Sequence, residues 1–121
     1  MKPLFVPLKT VFFNRFALGL KEDEVRLYGA RWNTNTCTLM RAVTLSKGYG
    51  KKFRLTGRIT KVTVCKGMDA PEQYHEGIKL CYGDLSKLVI VIGIQLGQTD
   101  ENRRVQKVVY DAEQERGGSG V

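Results

Sequence analysis

The basic residues Lys21 and Arg26 and the carboxylate of Glu24 lie close together in the segment from Gly19 to Arg26, which reads GLKEDEVR. A strand that starts near residue 22 would place Glu24 and Arg26 on one face, because alternate residues of a strand point the same way. If Glu24 pairs with Arg26, Lys21 becomes available as a base or a nucleophile. The alternative is a structural salt-bridge network that fixes the strand and the turn before it.

The single tryptophan, Trp32, follows Arg31 in a segment rich in Asn and Thr. An exposed indole can stack on a nucleobase, an interaction worth ~1–3 kcal/mol by alanine substitution. It can equally plug one end of a small barrel. We expect Trp32 to line a cleft.

The glycine-containing segment from Lys47 to Lys52 (KGYGKK) offers backbone N–H groups, the ring of Tyr49 and lysine side chains. This combination suits a phosphate group or a stacked base. Its spacing is not that of a P-loop and no helix follows, so hydrolysis of nucleoside triphosphates is not expected. The alternative is a hairpin turn whose lysines keep the chain in solution.

Positive charge is concentrated in one part of the chain. The net charge is +8, and the stretch from Val25 to Met68 has ten basic residues and no acidic one. From Asp69 onward, the chain has nine acidic residues and six basic ones. Charge segregated in this way attracts phosphate backbones. The residues expected to contact nucleic acid are Lys21, Arg26, Tyr28, Arg31, Trp32, Lys47, Tyr49, Lys51, Lys52 and Arg54.

Hydrophobic periodicity predicts an α+β protein. The expected strands are Leu4–Leu8, Glu22–Tyr28, Ala42–Ser46, Phe53–Val64 and Leu88–Leu96. The expected helices are Val11–Leu18, a short one within 69–82, and a C-terminal one through residues 105–112. Thr10 is expected to cap the first helix, Gly19 to end it, and Gly57 to mark a bulge or bend. Since no βαβ unit repeats, a small mixed β-barrel with peripheral helices fits best.

The pattern G-x-K-x-x-E-x-R from Gly19 to Arg26 resembles the signature of the ASCH domain family. The preceding phenylalanine-rich helix and the Tyr-x-x-Arg-Trp from Tyr28 to Trp32 agree with it, and the resemblance covers roughly residues 3 to 95. It implies a fold similar to PUA domains, a small barrel whose cleft is associated with RNA. The expected organisation is an ASCH/PUA-like domain over 1–97 and a C-terminal extension over 98–121, with a flexible end at 117–121.

Members of that family include binding modules and hydrolases, among them ribonucleases and an amidohydrolase that acts on acylated cytidine. In the amidohydrolase type the lysine matching Lys21 is catalytic, and a threonine occupies the position of Glu24. The sequence departs from that type, because a glutamate cannot act as a hydroxyl nucleophile.

Three function classes follow. The first is binding of RNA, single-stranded nucleic acid or a nucleotide-like ligand in a basic cleft. The second is a hydrolase, either a ribonuclease or a nucleoside amidohydrolase, that uses Lys21 with Glu24 or Glu76, and Arg26 beside them. The third is a small adaptor whose basic face binds an acidic protein.

Metal, cofactor and membrane signals are weak in this sequence. Cys37, Cys65 and Cys81 lack C-x-x-C spacing, and Cys65, His75 and Cys81 could together supply at most three ligands, so reduced thiols, no metal and no cofactor are expected. The longest apolar run, Leu88 to Ile94, is too short to span a membrane. The apolar patch near the start is too short for a signal peptide, so a cytoplasmic location is expected.

Overall fold

The computed structural model describes residues 1–118. Within this range the strands are β1 (Leu4–Leu8), β2 (Asp23–Leu27), β3 (Ala42–Lys47), β4 (Arg54–Lys66) and β5 (Leu88–Leu96). The helices are α1 (Thr10–Ala17), α2 (His75–Tyr82) and α3 (Asp100–Gly118). Of the flexible end predicted for residues 117–121, residues 119–121 lie outside the described part of the chain. No helix among the described residues is long and apolar enough to cross a membrane.

The strands form one mixed sheet with the hydrogen-bonded order β1-β3-β4-β5-β2. β1 pairs with β3 in parallel, whereas β3 pairs with β4, and β2 with β5, in antiparallel fashion. The predicted α+β class and mixed sheet are therefore confirmed. The β3–β4 register continues through Gly57, which lies opposite Val43. Of the bulge or bend predicted at Gly57, the bulge is absent from the β3–β4 pairing, because the two strands match residue for residue.

The described chain falls into two compact units. The first comprises Met1–Glu22, Ala42–Arg58 and the chain from Gln95 onward, and the second comprises Asp23–Arg41 and Ile59–Ile94. β4 and β5 each run from one unit into the other. Each unit therefore contributes part of the sheet and has its own core.

The core of the first unit is built on alternation in the strands and on the apolar face of α1. In β1 every second side chain is buried, and Phe5 and Pro7 between them are half-buried. A strand with one buried face is expected to show this period of two. The fully buried large side chains of this unit include Val6, Phe13, Phe16, Val43, Leu45, Leu55 and Val105.

Gly19 ends α1 as predicted. Its φ is +75°, a left-handed conformation that glycine adopts at little cost. Its N–H donates to the Phe16 carbonyl at 3.1 Å, and the Leu20 N–H donates to the Arg15 carbonyl at 2.8 Å, which together form a Schellman motif. At the other end the prediction of a Thr10 cap is wrong. The cap position belongs to Lys9, because the helix starts directly after β1 and Thr10 is already helical.

α3 is anchored in the first unit by Asn102, which is 1% exposed. Its side-chain amide donates to the carbonyls of Thr56 and Gly97, both at 2.8 Å, and its carbonyl oxygen accepts the Thr56 N–H at 3.0 Å. Further along the helix, Gln106 donates to the Ala17 carbonyl at the end of α1. The start of α3 is therefore fixed by hydrogen bonds to backbone as well as by apolar packing.

The core of the second unit lies where α2 packs with the apolar residues of β5. Its buried members are Ala70, Ile78, Val89 and Val91, and Val25, Cys65, Tyr74, Tyr82 and Leu85 pack against them. The Tyr82 hydroxyl donates to the Val25 carbonyl at 3.3 Å, which ties α2 to β2. Burial raises the pKa of Tyr82, so this hydroxyl stays protonated and able to donate.

Candidate nucleic-acid interface

In the second unit, Glu24 and Arg26 form an ion pair along one face of β2. The Arg26 Nε donates to the Glu24 Oε2 at 2.7 Å. The side chain of Glu24 is 11% exposed and that of Arg26 is 18% exposed, so the pair is largely shielded from solvent. An ion pair with little water around it holds a fixed geometry more firmly than a surface pair. The strand therefore presents Arg26 in one orientation.

Trp32 contacts two guanidinium groups. The Arg26 Cζ lies 4.6 Å from the centre of the Trp32 rings, and the Arg31 Cζ lies 5.4 Å from it. Both distances are within the range of cation–π attraction. Trp32 is half-buried, whereas Arg31 is exposed. Glu24, Arg26, Trp32 and Arg31 thus form one connected group, here called the Trp32 cluster.

The segment that carries Trp32 is held by its own polar side chains. The Asn33 amide donates to the carbonyls of Gly29 and Ala30 at 2.9 and 3.0 Å, and its oxygen accepts the backbone N–H groups of Asn35 and Thr36. The Thr36 hydroxyl donates to the Arg31 carbonyl at 2.8 Å. Asn and Thr side chains commonly stabilise turns in this way. The loop is therefore an ordered support for Trp32.

Two other predicted residues of the second unit lie outside these contacts. Tyr28 follows β2, is half-buried, and donates its backbone N–H to the Leu88 carbonyl at 3.0 Å. Glu76 is exposed in the first turn of α2. The carboxylate of Asp23, a residue that the sequence did not single out, accepts the Tyr74 hydroxyl at 3.0 Å and lies 3.4 Å from the Lys61 Nζ.

In the first unit, Lys21 follows the glycine turn at the end of α1 and is half-buried. Its Nζ lies 5.5 Å from the ring centres of both Phe12 and Phe16. The two rings are one helical turn apart, so a single ammonium group can reach both. The turn that ends α1 thus places the cation of the motif on an aromatic surface.

The remaining predicted residues of the first unit surround the turn between β3 and β4. The Tyr49 ring lies 6.0 Å from the Phe5 ring, and the Arg54 guanidinium lies 5.4 Å from Phe5. On the same turn, the Nζ atoms of Lys47 and Lys52 lie 4.8 and 5.4 Å from the centre of the Phe53 ring. Lys51 is exposed beside them.

Phe5 and Phe53 contact the predicted residues of this turn, but the sequence analysis did not single them out. For Phe5 a signal was present: Leu4, Val6 and Leu8 alternate as buried positions, so Phe5 belongs to the opposite face of β1. Phe53 was assigned to the start of the following strand, whereas β4 begins one residue later. That offset leaves Phe53 in the turn, next to the lysines.

Among residues 1–118, no group of three or more His, Cys, Asp or Glu side chains is placed to hold a metal ion. Cys37 is buried, Cys65 half-buried and Cys81 exposed, and all three are free thiols. His75, the single histidine of the sequence, forms a hydrogen bond between its Nε2 and the Ala70 carbonyl at 2.8 Å.

No protein-family model, no curated protein and no solved structure matches this chain.

Proposed function

We propose that this chain binds RNA or a nucleotide-like ligand, with a PUA-like fold of the kind that the ASCH resemblance implies. The observation that carries this proposal is the Trp32 cluster. An aromatic ring with two guanidinium groups over it, one of them hydrogen-bonded to a shielded carboxylate, brings together both chemistries that a nucleotide needs. These are a surface for the base and positive charge for the phosphate.

Each member of the cluster has a distinct part in such binding. Trp32 supplies a ring on which a base can stack, and Arg31, which is exposed, supplies a guanidinium suited to two-point contact with a phosphate. Glu24 and Arg26 orient one another beneath this surface through their 2.7 Å bond. The ordered loop around Asn33 lowers the entropic cost of presenting the ring to a ligand.

The same bond favours binding over hydrolysis. A carboxylate that accepts a charge-assisted hydrogen bond from Arg26 is suited to orienting that guanidinium rather than to moving a substrate proton. Glu76 is exposed on α2, outside the Trp32 cluster. The hydrolase therefore stands as the alternative that the experiment must exclude.

Replacing Trp32 with alanine should weaken binding of a fluorescein-labelled single-stranded RNA by about 5- to 150-fold, because a stacked base contributes ~1–3 kcal/mol. Fluorescence anisotropy measures the affinity. Trp32→Phe keeps a ring and should lose less. Arg31→Ala should weaken binding as well, and Arg103→Ala on α3, where Arg103 is paired with Asp100, is the matched control. Trp32→Ala protein that binds RNA as tightly as the wild type would contradict the proposal.

Two further measurements, an incubation assay and a competition assay, separate nucleic-acid binding from the hydrolase and the adaptor. If RNA and acylated cytidine both remain intact after prolonged incubation, binding alone is supported, whereas cleavage of either that Lys21→Ala abolishes would favour the hydrolase. Poly-glutamate should compete poorly at a charge concentration equal to that of RNA, since it has no bases to stack. Equal competition would instead favour the adaptor that binds an acidic protein.

A further inference from the structure

Tyr49 is an aromatic side chain held in solvent by a structured turn. It is 77% exposed, although its ring packs 6.0 Å from Phe5 with an angle of 38° between the ring planes. The contact supports one side of the ring while most of its surface stays in water. A large aromatic group exposed in this way is available to a partner that can cover it.

Hydrogen bonds fix the turn that carries Tyr49. The Gly48 N–H donates to the Leu8 carbonyl at 2.8 Å, and Gly48 has a φ of +65°, which favours glycine there. The Gly50 carbonyl accepts both the Ser46 hydroxyl at 3.1 Å and the Arg54 Nε at 3.2 Å. A turn fixed by its neighbours on both strands presents its tip in one conformation, which reduces the entropy lost on binding.

The residues close to Tyr49 in sequence include several cations and no acidic residue. Lys51 and Lys52 are exposed next to Tyr49, and Arg54 lies over Phe5. The nearest acidic residues along the chain are Glu24 and Asp69. An aromatic surface whose neighbours in sequence carry only positive charge matches a base that is joined to phosphates on both sides.

We infer that the turn from Lys47 to Arg54, together with Phe5, is a contact surface for single-stranded nucleic acid, here called the Tyr49 platform. Tyr49 stacks on an unpaired base, and Lys51 and Lys52 contact the neighbouring phosphates. The platform belongs to the first unit and uses none of the Trp32 cluster, so it adds a second contact surface to the proposed function.

Stacking on Tyr49 makes a prediction about the form of the nucleic acid. A base in a duplex has both faces covered by its neighbours, whereas a base in a flexible single strand can offer one face to a protein ring. The platform should therefore bind single strands better than duplexes of the same length. A surface that acted through charge alone would favour the duplex, because its phosphates are more densely spaced.

The test uses the full chain and fluorescein-labelled oligo-uridylate. Tyr49→Ala should weaken binding by about 5- to 150-fold, while Tyr49→Phe, which keeps the ring, should bind nearly as the wild type. Tyr110→Ala is the matched control, since Tyr110 is another exposed tyrosine of the first unit, on α3. Circular dichroism of each variant verifies that the fold is intact.

Charge is tested separately. The double variant Lys51→Ala with Lys52→Ala should make the slope of log K against log salt less steep by about 1.4, since each phosphate contact with a single strand contributes about 0.7. Lys79→Ala with Lys87→Ala removes two exposed lysines of the second unit and should leave the slope unchanged.

The outcomes distinguish this surface from the Trp32 cluster. Loss of affinity in Tyr49→Ala, with a preference for single strands, supports the platform. If Tyr49→Ala binds as the wild type while Trp32→Ala does not, the platform is wrong and the proposed function stands. Tighter binding of duplex than of single strand would overturn stacking on Tyr49. If only Trp32→Ala keeps wild-type affinity, the platform stands and the Trp32 cluster does not.

Discussion

Replacing Glu24 with alanine should lower the free energy of unfolding by about 2–3 kcal/mol. The change leaves the Arg26 guanidinium, 82% shielded from solvent, without the carboxylate that now lies 2.7 Å from its Nε. A hydrogen bond to a charged group is worth about 1.5–3 kcal/mol, and the variant loses the one between Arg26 and Glu24. Urea denaturation followed by circular dichroism measures the effect.

Glu22→Ala is the matched control for Glu24→Ala. Glu22 is exposed, lies two residues away and carries the same charge, so its loss should change the free energy of unfolding by less than about 0.5 kcal/mol. Glu24→Ala should also alter the emission of Trp32, because the guanidinium 4.6 Å from the indole loses its hydrogen bond to Glu24. Equal stability of the two variants would show that the ion pair does not hold β2 and its loop.

Asn102→Ala should be similarly damaging, with a loss of about 3 kcal/mol, although Asn102 lies in the first unit and belongs to neither candidate surface. Its side chain satisfies the Thr56 N–H and contacts the carbonyls of Thr56 and Gly97. Removing a partner from buried polar groups costs ~1–3 kcal/mol for each group left unsatisfied. Urea denaturation again measures the loss.

Asn102→Asp separates the donor and acceptor roles of this side chain. The aspartate keeps an oxygen for the Thr56 N–H but loses the N–H groups that donate to the two carbonyls, so it should destabilise the protein about as much as alanine does. Gln98→Ala, at an exposed position four residues before Asn102, should have little effect. An Asn102→Ala protein as stable as the wild type would show that α3 is anchored by apolar packing alone.

The sequence predicted best those elements whose residues repeat with a clear period. β5 has the bounds that were expected, because its apolar run is almost continuous and ends at polar residues. The shared face of Glu24 and Arg26 was predicted from alternation in β2, whereas their pairing was left open in the sequence and is seen in the structure. Gly19 ended α1 as expected because no other residue type adopts its φ so easily.

Features that depend on neighbours distant in sequence were predicted less well. The bulge expected at Gly57 is absent from the β3–β4 pairing, since the register is set by both strands and a glycine alone does not interrupt it. The contacts of Phe5 with Tyr49 and Arg54 join residues more than forty positions apart, and no local pattern reports such a distance. The hydrogen bonds between the Asn33 side chain and the backbone of its loop could not be predicted either, because they depend on backbone angles that the composition of a loop does not specify.

The proposed activity of this chain is binding of nucleic acid through its cations and aromatic rings. The most direct test is a titration of labelled single-stranded RNA with the full chain at several salt concentrations. If about three phosphates are neutralised, log K should fall linearly with log salt with a slope near −2. Binding that does not change with salt, or no binding at the lowest salt concentration, would contradict the claim.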